Sequence, residues 1–194
     1  EFSANVSHEL KTPLMSISGY AELIENGLVQ PGDIPSFAGR IHQEAVRLSN
    51  LVADIMKLSQ LDEAAEGLLW EEVSLKDLTQ EVCGHLQVQA AQHKVELDFS
   101  GEECQVYGVR QVLFEMCFNL CENAIKYNRE GGSVKIRLED AGDKIRWSVK
   151  DTGIGIAPEH QGRVFERFYR VDKSHSRKTG GTGLGLSIVK HGAA

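Results

Sequence analysis

The segment from 119 to 127 reads Asn119-Leu-Cys-Glu-Asn123-Ala-Ile-Lys126-Tyr127, and the predicted α/β half of the chain is organised around it. Asn119, Asn123 and Lys126 have helical spacing, so they share one face of a predicted helix whose other face is apolar. Half-buried amides need polar partners, which a hydrated magnesium ion and phosphate oxygens would supply. Two ordinary amides on a helix surface remain an equally good interpretation of this segment alone.

Two glycine-containing segments follow this helix. Asp151-Thr-Gly153-Ile-Gly155-Ile156 comes directly after a predicted strand. Its aspartate can accept a hydrogen bond from the amino group of a base, and its glycines let the backbone approach a ring; a plain turn is the alternative. Gly180-Gly181-Thr182-Gly183-Leu184-Gly185-Leu186 runs into an apolar helix. The first N–H groups of such a helix attract anions, so we expect a phosphate site here in preference to a linker.

The residues between these two segments are polar and basic. Val171–Thr179 contains Lys173, Arg177 and Lys178. Its length and composition suit a mobile lid over phosphates, and an ordinary solvated loop is an equally good interpretation.

Strand and helix patterns alternate irregularly over residues 67–194. Strands are expected at 70–74, 95–99, 105–107, 134–138 and 145–149, and helices at 75–92 and 109–127. Ser74 with Asp77 predicts a capped helix start. This order favours an α+β two-layer sandwich with one sheet and helices on one face.

Residues 1–66 instead predict two long helices joined by a turn at Val29–Asp33. The first carries a heptad seam of Leu10, Leu14, Ile17, Ala21, Ile24 and Leu28. The second carries Ile34, Phe37, Ile41, Leu48, Leu51, Ile55 and Leu58, with polar Glu44 as the exception. A lone hairpin cannot cover both stripes, so we expect two chains to form a four-helix bundle in preference to packing on the rest of this chain.

His8 falls on the outward side of this seam, with Glu9 beside it and Thr12 one turn later. Pro13 cannot donate to the Glu9 carbonyl, so the helix should bend or loosen there. An exposed imidazole beside a carboxylate is a plausible nucleophile. A solvated surface pair is the commoner explanation of such neighbours.

Composition narrows the function classes. The chain has 194 residues, 28 acidic and 21 basic side chains, and a net charge of -7, which disfavours nucleic-acid binding. No apolar run approaches the roughly 20 residues of a membrane span. The four cysteines are expected to be reduced thiols, and Cys117 and Cys121 to be core residues in preference to a metal pair.

These motifs together resemble a bacterial sensor histidine kinase whose dimerisation and catalytic domains are adjacent. Phe2–Leu14 resembles the H box, Glu115–Tyr127 the N box and Asp151–Ile156 the G1 box. Phe165-Glu-Arg167-Phe168-Tyr-Arg170 resembles the F box, and Gly181–Gly185 the G2 box. The H and F boxes are most similar to the phosphate- or cell-envelope-sensing branch.

The resemblance implies a role for each motif residue. His8 would be the phosphoacceptor, Glu9 the residue that orients its ring and takes its proton, and Thr12 the residue that aligns water for dephosphorylation of a partner. Asn123, helped by Asn119, would hold Mg2+ on ATP. The remaining predicted ATP-binding residues are Lys126, Tyr127, Asp151, Gly153, Gly155, Arg167, Phe168, Arg170, Gly181, Thr182, Gly183, Leu184 and Gly185.

The resemblance also implies an activity and partners. A histidine kinase of this type autophosphorylates in a homodimer, after its domains reorient about a joint near Asp62–Leu68 and bring the nucleotide to the histidine. It then passes the phosphoryl group to the receiver domain of a response regulator. We expect a phosphoacceptor domain at 1–66 and an ATP-binding domain at 67–194, without the final strand or two of the family. The chain should be the cytoplasmic portion of a membrane-anchored sensor, with its upstream helix, anchor and sensor absent.

Two other functions fit parts of the sequence. A chaperone-, topoisomerase- or mismatch-repair-type ATPase would share the Asn and Gly-rich elements, but those proteins usually carry a catalytic glutamate in place of Asn119. A non-enzymatic dimeric scaffold would need only the heptad seam, and it would not bind ATP.

Overall fold

The computed structural model of the protein describes residues 2–63, 69–171 and 181–193. The predicted lid residues Lys173, Arg177 and Lys178, and most of the predicted joint Asp62–Leu68, lie outside these ranges. The chain divides into two compact units. One is built on the first two long helices, and the other contains all the described strands. Among the described helices, none combines the length and the apolar character that a bilayer span requires.

The helical unit contains α1 (Phe2–Glu25), a short 3-10 helix (Pro31–Asp33) and α2 (Ile34–Glu63). α1 ends three residues before Leu28, which the heptad pattern had included. Gly27 adopts a left-handed conformation with φ of 65°. The Leu28 N–H then donates to the Leu23 carbonyl (3.0 Å), which closes the helix in a Schellman motif.

The predicted seams of the hairpin differ in their exposure within this single chain. On α2, Leu51 and Leu58 are buried. On α1, Ile17 and Ile24 are half-buried, whereas the seam residue Leu14 is 53% exposed. Near the turn, the rings of Tyr20 and Phe37 meet edge to face with centroids 5.6 Å apart. Part of the apolar surface of the hairpin is therefore available for a further contact.

The second unit contains five strands and four helices in its described part. The strands are β1 (Glu71–Ser74), β2 (Glu96–Gly101), β3 (Gln105–Gly108), β4 (Ser133–Asp140) and β5 (Ile145–Asp151). The helices are α3 (Leu75–Gln92), α4 (Arg110–Lys126), the single turn α5 (Pro158–Gln161) and α6 (Gly185–Gly192). The predicted strands and helices of this half are all present.

The strands form two sheets in the described residues, where the sequence had predicted one. β1 and β3 pair antiparallel, and β2-β4-β5 form a mixed sheet in which β2 and β4 are parallel. The difference arises because β2 pairs with β4 and not with the neighbouring β3. α3 and α4 pack on the three-stranded sheet, which gives the sandwich expected from the order of elements.

The core of this unit lies between these two helices and the sheet. Val82 and Leu86 from α3, Cys121 and Ile125 from α4, and Ile136 from β4 are nearly inaccessible to solvent. The Ser74 hydroxyl accepts the Asp77 N–H (3.2 Å), which confirms the predicted cap of α3. The core thus fixes α4, and with it the amide segment, against the strand that ends at Asp151.

Candidate functional site

His8 lies on the solvent-facing side of α1, as the heptad pattern predicted. Its side chain is 81% exposed, and its Nδ1 atom lies 4.0 Å from Oε1 of Glu9. The Thr12 hydroxyl donates to the His8 carbonyl (3.1 Å). Pro13 is buried inside the helix, and α1 continues through it to Glu25. The imidazole is accessible, and the adjacent carboxylate is close enough to orient it.

The amide face of α4 meets the start of α6. A Cβ atom added to Gly185 would lie 2.7 Å from Oδ1 of Asn119, so no other residue fits there without displacing that amide. Asn119 Nδ2 donates to the Glu115 carbonyl (2.7 Å), which turns its oxygen toward the glycine segment. Asn123 and Lys126 are half-buried on the same face. The predicted phosphate segment and the predicted magnesium residues are therefore neighbours.

The end of α4 also meets the other glycine segment. The Ile154 N–H donates to the Tyr127 carbonyl (3.1 Å), and a Cβ at Gly153 would lie 2.5 Å from that same oxygen. Asp151 Oδ1 accepts the Gly153 N–H (2.8 Å), so the carboxylate organises its own turn. Gly155 has φ of 72°, and among the described residues no atom beyond its chain neighbours lies within 4 Å of the position that a Cβ would occupy there. This arrangement brings Tyr127 and Asp151 together.

A backbone hydrogen bond between Phe168 and Gly183 joins the two chain segments that flank the predicted lid. Phe168 has φ of 66°, which is unusual for a residue with a side chain, and its N–H donates to the Gly183 carbonyl (2.9 Å). Gly183 has φ of 77°, and a Cβ there would clash with the Phe168 backbone. Arg167 and Arg170 are half-buried beside this hydrogen bond.

The other residues of the predicted phosphate segment have different surroundings. Gly181 is half-buried, and Leu184 is buried and precedes α6 as its cap residue. Thr182 groups with the helical unit, where its hydroxyl donates to an Asp54 carboxylate oxygen (2.6 Å). The hydroxyl of Thr182, a predicted ATP-binding residue, is therefore hydrogen-bonded to a side chain of α2 in this structure.

The donor set fits a nucleotide that carries magnesium. In the described residues, no three His, Cys, Asp or Glu side chains cluster as metal ligands would. Magnesium is usually held by few protein oxygens together with waters and substrate phosphates. The carboxamide oxygens of Asn119 and Asn123 could supply such protein ligands. The N–H groups at the start of α6 could receive phosphate oxygens.

One hydrogen-bond network beside the site was not predicted from the sequence. Asn128, Ser133 and Thr152 bond to one another where α4, β4 and β5 meet. The available signal was the turn-forming segment from Asn128 to Gly132, but its partner Thr152 is distant in sequence. Only the folded chain brings them together.

Comparison with known proteins finds a family match for two stretches of the chain. Residues 1–64 match the His Kinase A (phospho-acceptor) domain, and residues 108–194 match the histidine kinase-, DNA gyrase B- and HSP90-like ATPase family. The sensor-like histidine kinase SenX3 of Mycolicibacterium smegmatis is 39% identical over 195 residues, across all of this chain and 51% of the relative. The chain belongs to the sensor histidine kinases.

Relatives of this histidine kinase include the phosphate-sensing branch, as its H and F boxes had indicated. The phosphate regulon sensor protein PhoR of Pseudomonas aeruginosa is 38% identical, across 98% of this chain and 44% of PhoR. The chain spans about half the length of the curated relatives it matches.

Solved histidine kinases share its fold. AdeS of Acinetobacter baumannii has a TM-score of 0.73 and 26% identity, covering 95% of this chain and 85% of AdeS. ThkA, solved in complex with the response regulator protein TrrA, has a TM-score of 0.70 and 27% identity over 88% of this chain and 50% of that one. Full-length ShkA, solved with AMPPNP, has a TM-score of 0.66 and 28% identity over 98% of this chain and 40% of ShkA.

Proposed function

We propose that this histidine kinase chain transfers the γ-phosphoryl group of ATP to His8, and then to an aspartate of a response-regulator receiver domain. The observation that carries the proposal is the exposed His8 imidazole with Glu9 on its Nδ1 side. The same chain contains an amide and glycine site suited to a nucleotide. The ShkA structure with AMPPNP and the ThkA complex with a response regulator support the two halves of this proposal.

The nucleotide would lie along the residues that join α4 to the two glycine segments. Asp151 would accept a hydrogen bond from the adenine amino group, with Tyr127 beside the ring and Gly153 and Gly155 shaping the pocket. Asn123 and Asn119 would hold Mg2+, which neutralises phosphate charge when it is bound. Lys126 and the Gly181–Gly185 segment would contact phosphates, with Phe168, Arg167 and Arg170 at the lid.

The first transfer forms a bond between an imidazole nitrogen and the γ-phosphorus, while the bond from that phosphorus to the bridging oxygen of ADP breaks. Because Glu9 lies on the Nδ1 side of the ring (4.0 Å), Nε2 is the attacking nitrogen. Glu9 would move in from 4.0 Å to accept a hydrogen bond from Nδ1, orient the ring, and take that proton as positive charge develops on the imidazole. In the second transfer, a receiver carboxylate oxygen attacks the same phosphorus and Nε2 leaves.

The surface around His8 supports docking of a receiver. Met15 lies one heptad after His8 on the same side of α1 and is 63% exposed, and exposed Leu23 continues that side. The α1 seam supports a homodimer, because Leu14 and Ala21 remain exposed in the single chain. We infer the domain boundaries 1–66 and 67–194, and a cytoplasmic position in a sensor that is anchored in the membrane outside this chain.

Labelling with γ-32P-ATP and Mg2+ tests the proposal. We expect acid-labile label on the protein, and none on His8→Gln. His42→Gln is the matched control, because His42 is also exposed but lies on α2; it should be labelled normally. Label that persists in His8→Gln would reject the assignment of His8. Rapid multiple turnover without phosphoprotein would instead favour the related ATPase, and absence of ATP binding would favour the scaffold.

A further inference from the structure

The Asn128 side chain connects three segments of the second unit. Its Nδ2 atom donates to the Ala124 carbonyl in the last turn of α4 and to the Ser133 carbonyl at the start of β4, both at 3.1 Å. Its Oδ1 atom accepts the Arg129 N–H (2.9 Å) and the Thr152 hydroxyl (3.2 Å). The carboxamide thus uses both of its ends, and one of its partners directly follows Asp151.

Thr152 completes the connection from the strand side. Its hydroxyl accepts the Ser133 N–H (2.9 Å), and its own N–H donates to the Ser133 carbonyl (3.1 Å). Gly132 gives this network its space, because a Cβ there would overlap both the Asn128 amide oxygen and the Thr152 hydroxyl. The end of β5 is therefore held to the end of α4 by side chains, in addition to the single backbone bond from Ile154 to Tyr127.

We propose that Asn128 is a positioning residue that holds the Asp151 carboxylate at a fixed place relative to the amide face of α4. The inference rests on the proposed binding of ATP. A nucleotide must reach Asp151 with its base and Asn123 with its phosphates at the same time. The network fixes the spacing between Asp151 and Asn123. The adenine can therefore bond to Asp151 without the entropic cost of first ordering the end of β5.

The network lies at the rim of the unit and not in its core. Asn128 and Ser133 are half-buried, and Thr152 is exposed. Water can therefore replace some of these hydrogen bonds when Asn128 is removed, and the core around α3 and α4 stays packed. Removal of the Asn128 side chain should therefore change mainly the orientation of Asp151 and not the stability of the unit. This outcome distinguishes a positioning role from a purely structural one.

The test compares ATP with purine riboside triphosphate, which lacks the 6-amino group and so cannot donate to Asp151. Affinities of both, with Mg2+, are measured by calorimetry. In the parent chain ATP should bind more tightly. In Asn128→Ala, ATP affinity should fall roughly tenfold, as expected for a lost hydrogen bond to a charged group, while the analogue changes much less. Asn26→Ala is the control, because Asn26 directly follows α1 and its side chain donates to the Glu22 carbonyl in the same way (3.0 Å), so this variant should leave both affinities unchanged.

Thr152 provides a second route if Asn128→Ala does not fold. Thr152→Val removes the hydroxyl with little change in shape and should reduce the preference for ATP, whereas Thr152→Ser should retain it. Equal losses for ATP and the analogue, or unchanged ATP affinity in both variants, would overturn the role of Asn128. A parent chain that binds neither nucleotide would overturn the proposed function itself.

Discussion

At the scale of single residues, the position of Thr12 predicts a second activity at the phosphoacceptor. Its hydroxyl bonds to the His8 carbonyl one turn earlier, on the exposed side of α1. We propose that this hydroxyl aligns a water molecule against a phosphorylated aspartate of a docked receiver. Such alignment does not contribute to attack by the His8 ring, so the two activities should separate on mutation.

We therefore expect Thr12→Ala to autophosphorylate within about twofold of the parent, but to dephosphorylate the regulator roughly tenfold more slowly, because the water loses its orientation. The measurement is the decay of phosphorylated regulator in the presence of each variant. Ser16→Ala is the control, since the Ser16 hydroxyl makes the same kind of bond one turn later (3.2 Å). Equal loss of both activities in Thr12→Ala would contradict the role.

The cysteine residues have predictable reactivity because of their burial. Burial in the core raises the pKa of the Cys117 thiol to about 12, and it raises the pKa of Cys121 further. Burial, followed by the nearby Asp98 charge, also raises the pKa of half-buried Cys83. A raised pKa lowers the thiolate fraction at neutral pH, and only the thiolate is alkylated.

Iodoacetamide at pH 8 should therefore modify Cys83 before Cys117 and Cys121 in the native protein, and all three at similar rates in urea. Peptide mass spectrometry measures the order. The Cys117 thiol ionises at a lower pH in the unfolded chain than in the folded one. The free energy of unfolding should therefore fall as the pH rises above about 9. Fast native labelling of Cys117 would contradict the packing described for α4.

At the scale of elements, the start of α3 depends on one side chain. The Ser74 hydroxyl accepts the Asp77 N–H and donates to Glu103 (3.0 Å). Ser74→Ala should reduce the free energy of unfolding by about 1 kcal/mol, through loss of the cap. Urea unfolding followed by tryptophan fluorescence suits the test, since Trp70 and Trp147 both lie in the second unit. Gln80→Ala, at an exposed position within α3, should change stability far less; equal effects would argue against capping.

Elements were predictable where a local pattern determines them. The periodicity of apolar residues and the cap at Ser74 predicted α3, α4 and the β4–β5 hairpin. The end of α1 was missed because the apolar pattern continues to Leu28, whereas the left-handed Gly27 stops the helix. Pairing of β2 with β4 was missed because partner choice depends on contacts that are distant in sequence.

The same distinction applies to the candidate site. Asn119, Asn123 and Asp151 could be selected from residue type and spacing, and the fold places their segments together. Asn128 could not, because its importance depends on Ser133 and Thr152 from two different strands. The positive φ of Phe168 likewise follows from its bond to Gly183, and not from its own sequence neighbourhood.

At the scale of the whole molecule, the apolar seam of α1 predicts self-association. Ala21→Glu places a charge on the exposed part of that seam and should weaken the dimer at least roughly tenfold, because the carboxylate would be buried without a partner. Sedimentation velocity over a range of concentrations measures it. Leu23→Glu is the matched variant on the His8 side: it should remain dimeric but bind the regulator more weakly. Similar dissociation in both variants would contradict this assignment of faces.

The parallel pairing of β2 with β4 has a consequence for how the chain acquires its structure. Glu96 pairs with Ser133, so β3 and all of α4 lie within the loop that this pairing closes. Closure of such a long loop is entropically costly and slows folding. The hairpin of α1 and α2 precedes the second unit in the chain, so it emerges from the ribosome before that unit does. We expect the hairpin to form while the sheet is still incomplete. Two nascent chains could then associate through their hairpins before the second unit of either chain can bind a nucleotide.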